Sequence, residues 1–138
     1  MQKGLPNRFY TTREDFLLER ERIFSSMWTC IGFASDTAEA GDAFPLELME
    51  LPLLILRGED HQLRVFHNVC PHRGHILVSE AGRMKKMLRC PYHSWTFQLD
   101  GKLANTPHIG GVGVRKLEHF DPTCHGMREI RCEVWNDL

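Results

Sequence analysis

The sequence is poor in the features that mark membrane, secreted or nucleic-acid-binding proteins. Its apolar stretch from Leu51 to Leu56 is far too short to span a bilayer, and no basic lead followed by an apolar run indicates a signal peptide. Lys and Arg number 17 against 18 Asp and Glu, so the net charge of −1 gives no reason to expect nucleic acid or a membrane as partner. Repeats are also absent. We therefore expect a cytoplasmic protein.

Cysteine is scarce, and its number is odd. Of five cysteines, two stand in the motifs discussed next, which leaves Cys30, Cys124 and Cys132. An odd remainder without a secretory signal indicates free thiols in a reducing compartment.

The 138 residues, 42% of them apolar, suffice for one ordinary hydrophobic core. We predict a single, mostly β domain over residues 1–138 with a helical lead-in over about residues 1–35. Thr12 and Asp15 give that helix a capping-box start, and five apolar residues share one of its faces: Phe16, Leu17, Ile23, Phe24 and Met27. Strands are predicted at 28–33, 43–49, 53–57, 62–68 and 130–135, with a hairpin at 96–104 whose Asp100-Gly101 pair suits a type I′ turn.

Two short motifs carry the chemistry of the chain. Cys70-Pro71-His72 and Cys90-Pro91-Tyr92-His93 are separated by residues 73–89, where Ala81-Gly82-Arg83 is the predicted turn. Each motif offers one thiolate and one imidazole, and a proline stiffens the backbone directly after each cysteine. The pattern C-x-H…C-x-x-H is what a Rieske [2Fe–2S] cluster needs, with two cysteines on one iron and two histidines on the other.

Other interpretations of these four residues stay open at this point. A Cys₂His₂ zinc site is one alternative, although zinc modules usually pair cysteine with cysteine and histidine with histidine. A Cys70–Cys90 disulfide would leave both histidines unexplained. His67 and His75 flank the first motif without fitting the ligand spacing, and we interpret them as ordinary histidines. The glycines at 110, 111 and 113 predict a flexible loop and not a phosphate site.

The surrounding residues resemble the Rieske domain of the ring-hydroxylating, non-haem iron oxygenases. The resemblance is carried by residues 68–74, 89–97 and 99–101, and extends weakly from Phe24 to Trp28, through Gly41-Asp42 and from Gly126 to Trp135. It implies antiparallel sheets with a two-loop cluster-binding subdomain at about residues 66–98. It also implies that Cys70 and Cys90 bind the inner iron and that His72 and His93 bind the outer one, with five residues around them: Arg73, Gly74, Tyr92, Ser94 and Trp95.

The departures from quinol-oxidising Rieske proteins predict a low potential. Those proteins clamp their loops with a disulfide at the positions that His75 and Tyr92 occupy here, and they offer a serine hydroxyl to the cluster where this chain has Trp95. Fewer hydrogen bonds to the cluster sulfurs lower the reduction potential, and we expect about −150 to 0 mV.

In the resembled family a second, larger domain binds mononuclear Fe(II) through two histidines and a carboxylate. The one local candidate for such a set is His119, Asp121 and His125, which we interpret as a solvated loop. We therefore expect a fragment that transfers electrons and has no catalytic residue of its own. The resemblance implies that a reductase or ferredoxin is the electron donor. It also implies that the acceptor is a catalytic domain of the same or a neighbouring subunit, where an aspartate meets His93. A free-standing Rieske ferredoxin is the main alternative and a zinc-stapled binding module a distant one.

Overall fold

The computed structural model describes residues 4–112, 114 and 117–138. The chain divides into two compact units, Met1–Ile31 and Gly32–Leu138. In the part of the chain so described, no helix is long and apolar enough to cross a membrane.

The first unit is helical. It contains α1 (Arg8–Thr11), α2 (Arg13–Glu19) and a π-helical turn at Arg20–Phe24. Thr12 caps α2 as predicted: the Asp15 N–H donates to Thr12 Oγ1 at 3.4 Å, and Thr12 Oγ1 donates to the Asp15 carboxylate at 2.8 Å. The return bond of a full capping box is not made, because the Thr12 N–H donates to the Arg8 carbonyl. The π turn changes the spacing of the apolar face beyond α2, so that Phe16, Leu17 and Phe24 are half-buried while Ile23 and Met27 are exposed.

The second unit contains eight short strands among the described residues, as the mostly β, antiparallel prediction requires. They are β1 (Asp42–Leu48), β2 (Leu51–Arg57), β3 (Leu63–His67), β4 (Gly82–Arg83), β5 (Met87–Arg89), β6 (Thr96–Gln98), β7 (Leu103–Asn105) and β8 (Glu129–Ile130). One antiparallel sheet has the order β4-β1-β2-β3-β8, and a second has the order β5-β6-β7. Two 3₁₀ turns, Ala34–Thr37 and Pro122–His125, complete the unit.

Strand β2 lies at the centre of the larger sheet. Its residues Leu53, Leu54, Ile55 and Leu56 are all buried, which is typical of a strand covered on both faces. Leu54 and Leu56 belong to the main core, which also holds both motif cysteines. The other buried members of that core are Ala43, Phe66, Leu77, Val78, Leu88, Trp95, Phe97, Leu99 and Met127. The two motifs therefore start inside the core.

The hairpin between β6 and β7 is confirmed, but its predicted type I′ turn is wrong. The Gly101 N–H donates to the Gln98 carbonyl, and Gln98 N–H donates to the Lys102 carbonyl, which encloses a three-residue loop. Only Gly101, at φ +84°, is left-handed in this loop, whereas a type I′ turn needs two such residues. A Cβ at this position would also lie 2.5 Å from the Phe66 ring, so Gly101 serves the packing as well.

Three other local predictions are wrong. Residues 28–33 form no strand, because the segment has no neighbouring strand to pair with among the described residues. The predicted turn at Ala81-Gly82-Arg83 includes β4, which pairs with Asp42 and Ala43 of β1. The final strand is only Glu129–Ile130, paired with β3, and does not reach Trp135. Of the predicted glycine loop, Gly113 lies outside the described residues.

An ion pair fixes β4 against β1. Arg83 Nε donates to Asp42 Oδ1 at 2.8 Å. This bond, together with the backbone N–H of Glu39, holds the pKa of Asp42 below its ordinary value. A carboxylate of lowered pKa contributes stability above its unfolded pKa of about 4, and the contribution is lost as the pH falls through the lowered value.

We accordingly expect Asp42→Asn to lower the urea midpoint of unfolding slightly at pH 7 and by less at pH 3. The loss is small because the Arg83 side chain is 59% exposed, so that solvent screens the pair. Urea titrations of both proteins at the two pH values measure it. A loss that is equal at both pH values would show that the charge of Asp42 is irrelevant.

Candidate metal centre

The two cysteine motifs form loops of the same backbone design. The first loop follows β3 and the second follows β5. In the first, the Cys70 N–H donates to the His75 carbonyl at 2.8 Å; in the second, the Cys90 N–H donates to the Trp95 carbonyl, also at 2.8 Å. Each loop is therefore closed by a bond between its cysteine and the fifth residue after it.

The fourth residue after each cysteine has the same backbone conformation and hydrogen bond in both loops. Gly74 and Ser94 donate their N–H groups to the carbonyls of Cys70 and Cys90 at 2.9 and 3.0 Å. Both are left-handed, at φ +70° and +60°. Glycine takes this conformation freely, whereas serine is strained in it. Ser94 is further held by its Oγ, which accepts a hydrogen bond from the Arg89 guanidinium at 2.8 Å.

Both thiols are buried. Cys70 and Cys90 are 1% and 2% exposed, and neither forms a disulfide. Burial raises the pKa of the Cys70 thiol; the His72 backbone N–H opposes this rise, and the Cys90 thiol, which is hydrogen-bonded to it, adds to it. Bound metal ions deprotonate coordinating thiols outright, so the raised pKa does not prevent ligation.

The two histidines lie toward the surface and present matching unpaired nitrogens. Their ring centroids are 4.8 Å apart at an interplanar angle of 74°. Nδ1 of His72 and Nδ1 of His93 are both buried and have no hydrogen-bond partner in the structure. A buried polar atom without a partner costs free energy, so each one requires an explanation. Burial, then His93 and Arg73, lower the pKa of His72 and favour the neutral imidazole that ligates metals.

These four side chains fit a binuclear cluster. Two adjacent sulfurs lie in the core, and two imidazoles with unpaired Nδ1 atoms lie nearer the solvent, which matches two cysteines on an inner iron and two histidines on an outer one. Among the described residues, no three Cys, His, Asp or Glu side chains surround one point as they would around a single ion. A [2Fe–2S] cluster with two protein ligands on each iron needs no such convergence.

The residues that were predicted to surround the cluster lie in the two loops and make different contacts with the histidines. Trp95 of the second loop stacks flat on His72 of the first, with centroids 4.5 Å apart and planes 7° from parallel. Tyr92 is exposed and lies against its neighbour His93, with centroids 3.8 Å apart. Arg73 is exposed beside His72. Trp95 therefore joins the two loops through an aromatic contact.

Several residues that hold the two loops in place were not predicted from the sequence. The buried Asn68 side chain bridges the ends of the first loop, because its Nδ2 donates to the Val78 carbonyl and its Oδ1 accepts from the Val78 N–H. Phe120 and His125 pack edge-on against Trp95. An asparagine two residues before Cys70 was the available signal for the bridge; nothing in the sequence marked the aromatic contacts.

The remaining candidates have ordinary roles. Asp121 caps the 3₁₀ turn, since its Oδ1 accepts from the N–H and the hydroxyl of Thr123. His125 Nδ1 bonds to the Asp121 carbonyl, so Asp121 and His125 belong to a capped turn, while His119 is exposed before it. His75 Nδ1 bonds to the Ile76 carbonyl, and His67 lies half-buried in β3.

We expect Trp95→Ala to lower the free energy of unfolding by about 3–5 kcal/mol, as removal of a buried tryptophan does, and Trp95→Phe to lower it by less. Denaturant unfolding of the two variants measures this difference. Equal losses would contradict this expectation, because they would show that an aromatic ring at position 95 restores none of the packing of Trp95.

Comparisons with known proteins place the chain among iron–sulfur domains. The family model described as Rieske [2Fe-2S] domain matches residues 27–120. The carnitine monooxygenase oxygenase subunit of Escherichia coli K12 is 45% identical over 131 residues, which cover 95% of this chain and 34% of that protein. The glycine betaine monooxygenase oxygenase subunit of Pseudomonas aeruginosa PAO1 is 39% identical over 132 residues, 95% of this chain and 29% of that protein.

A solved structure of a similar protein supports the same family. It is the structure of a quaternary ammonium Rieske monooxygenase whose description includes carnitine oxidation and inter-subunit electron transfer. It superposes with a TM-score of 0.83 at 39% identity, covering 93% of this chain and 34% of that one. The chain thus spans about a third of the length of the proteins it resembles.

Proposed function

Because this chain belongs to the Rieske [2Fe–2S] domain family, we propose that it delivers single electrons to the oxygen-activating iron of a Rieske-type oxygenase. The observation that carries the proposal is the pairing of two buried thiols with two unpartnered Nδ1 atoms. A Rieske cluster gains and loses one electron, and this is the chemistry it supplies when bound.

The residues of the two loops have separate tasks in this proposal. Cys70 and Cys90 hold the inner iron as thiolates, and His72 and His93 hold the outer iron through Nδ1. Trp95 fixes the plane of His72 and excludes water from one of its faces, which its 4% exposure supports. The second nitrogens of the histidines are left to face a partner, as ligating imidazoles pass their other N–H to an acceptor.

The partners follow from the same arrangement. We propose that a reductase or ferredoxin supplies the electron and that the catalytic domain of the same or a neighbouring subunit receives it. His93 is the exit, because the resemblance implies an aspartate of the neighbour's catalytic domain at this position. The inter-subunit electron transfer described for the similar monooxygenase supports this route.

The substrate class is inferred from the relatives alone. Carnitine and glycine betaine monooxygenase subunits are 45% and 39% identical to this chain, against 30% for a naphthalene dioxygenase structure. We propose an oxygenase that acts on small quaternary ammonium compounds. The test is oxygen-dependent product formation by a full-length protein that carries this chain, with carnitine, glycine betaine and naphthalene compared.

The reduction potential tests the electron-transfer role directly. We expect a one-electron midpoint of about −150 to 0 mV, since no disulfide clamp or serine at position 95 raises it. Redox titration of the purified chain with optical detection measures it. A midpoint well above 0 mV would favour a quinol-oxidising type and overturn the proposal. The free-standing ferredoxin and the zinc module are not favoured, because the relatives are oxygenase subunits.

A further inference from the structure

We propose that Arg83–Arg89, here called the basic ribbon, is the docking surface for an acidic electron-donor protein. This inference rests on the proposed function and adds the side from which the electron enters. The donor class is a redox protein that presents carboxylates around its own cofactor.

The basic ribbon concentrates the positive charge of an otherwise balanced chain. Residues 83–89 contain four basic side chains and no acidic one, although the whole chain has a net charge of −1. Lys85, Lys86 and Arg89 are exposed, and none of them forms an ion pair within the described part of the chain. Exposed Met87 lies among them. Unpaired cations around an exposed apolar side chain fit a carboxylate-bearing partner.

The ribbon is held in place at both ends. Strand β4 forms one edge of the larger sheet, and β5 forms one edge of the smaller sheet. Arg83 is bonded to Asp42, Met84 packs against the core, and Leu88 is buried. The lysines therefore extend from a fixed backbone, and little ordering is needed when a partner binds.

The ribbon also leads directly into the second cluster loop. Strand β5 runs directly into Cys90, so that Lys86 is four residues, or about 13 Å of extended chain, from the ligand thiol. At the same end, Arg89 bonds to Ser94, the neighbour of His93. A donor bound to the ribbon would therefore lie close to the second cluster loop.

Attraction between the ribbon and an acidic donor should raise the rate of association and make that rate depend on salt. Electrostatic steering raises association rates by about 10- to 1,000-fold and fades as salt screens the charges. One electron passes from the reduced donor to the oxidised cluster, so the donor is oxidised as the cluster is reduced. No further reactant is needed.

The test uses the whole chain purified with its cluster, and a reduced, acidic plant-type [2Fe–2S] ferredoxin as the probe. Such ferredoxins have potentials near −400 mV, low enough to reduce a Rieske cluster. Stopped-flow absorbance gives the second-order rate constant for Lys85→Glu, Lys86→Glu and the double variant. The matched control is Arg128→Glu, an exposed charge next to β8, at the opposite edge of the larger sheet.

We expect each lysine variant to lower the rate constant several-fold at low salt, and the double variant to lower it about tenfold or more. The difference should shrink at high salt, and Arg128→Glu should change the rate less than twofold. Equal rates for the double variant and the unchanged protein would overturn the docking surface. So would a loss that persists at high salt.

Titration with small-molecule mediators separates this inference from the proposed function. If mediators reduce the cluster in every variant while ferredoxin rates do not differ, the docking surface is wrong and the electron carrier stands. If mediators find no reducible cluster in the unchanged chain, the proposed function fails with it. If the lysines serve only to keep edge strands from pairing, the variants aggregate and the remaining monomer reacts with ferredoxin at the unchanged rate, which also overturns the proposal.

Discussion

Replacing Cys90 with serine is expected to yield a colourless protein that retains less than about a tenth of the iron of the unchanged chain. The thiolate is the ligand that a [2Fe–2S] cluster needs on its inner iron, and Cys90 is buried beside Cys70, where no other thiol can replace it. A hydroxyl is a poor substitute, because soft thiolates select iron–sulfur clusters. Iron and sulfide analysis with the visible spectrum measures the loss.

The matched control is Cys124→Ser. Cys124 is an exposed free thiol in the 3₁₀ turn Pro122–His125, and its Sγ donates a hydrogen bond to the Asp121 carboxylate at 3.6 Å. Its replacement should leave the iron content and the spectrum unchanged. Equal iron in the Cys90→Ser and Cys124→Ser proteins would contradict the ligand assignment.

Replacing His93 with cysteine is expected to keep a [2Fe–2S] cluster but to lower its potential by about 100 mV or more. An added thiolate brings negative charge to the outer iron and stabilises the oxidised state. The direction follows from the difference between Rieske centres, at about −150 mV and above, and four-cysteine ferredoxins near −400 mV. Redox titration with EPR detection measures the shift.

His75→Cys is the matched control for this change. His75 also lies in a cluster loop, but its Nδ1 bonds to the Ile76 carbonyl, so it is not free to bind iron. We expect the reduction potential of the His75→Cys protein to differ from that of the unchanged chain much less than the potential of His93→Cys does. Intact spectra with an unchanged potential in the His93 variant would count against this residue as a ligand.

The chemistry of the site could be read from the sequence because it depends on residue type and spacing. The two motifs that begin at Cys70 and Cys90 predict the ligands. The structure adds that the Nδ1 atoms of His72 and His93 have no hydrogen-bond partner. The common design of the loops could not be read, because Ser94 does not mark a left-handed position as Gly74 does. Only the closing bond from Cys90 to Trp95 reveals that the two positions correspond.

Local turns and short strands were predicted less well, because they depend on distant partners. Met49 and Glu50 form the two-residue turn between β1 and β2 with φ of 49° and 65°, although neither is a typical turn residue. The pairing of the two long strands imposes that conformation. Likewise, Gly82–Arg83 is a strand only because β1 offers an edge to it.

The most direct test of the proposed cluster is to purify the chain without oxygen and to measure its visible spectrum, its iron and sulfide content, and its EPR spectrum after reduction by dithionite. We expect a red-brown protein with about two irons and two sulfides per chain and a rhombic signal of low average g. A colourless protein that holds one zinc ion would contradict it, and the proposals on electron delivery and on the docking surface would fail together.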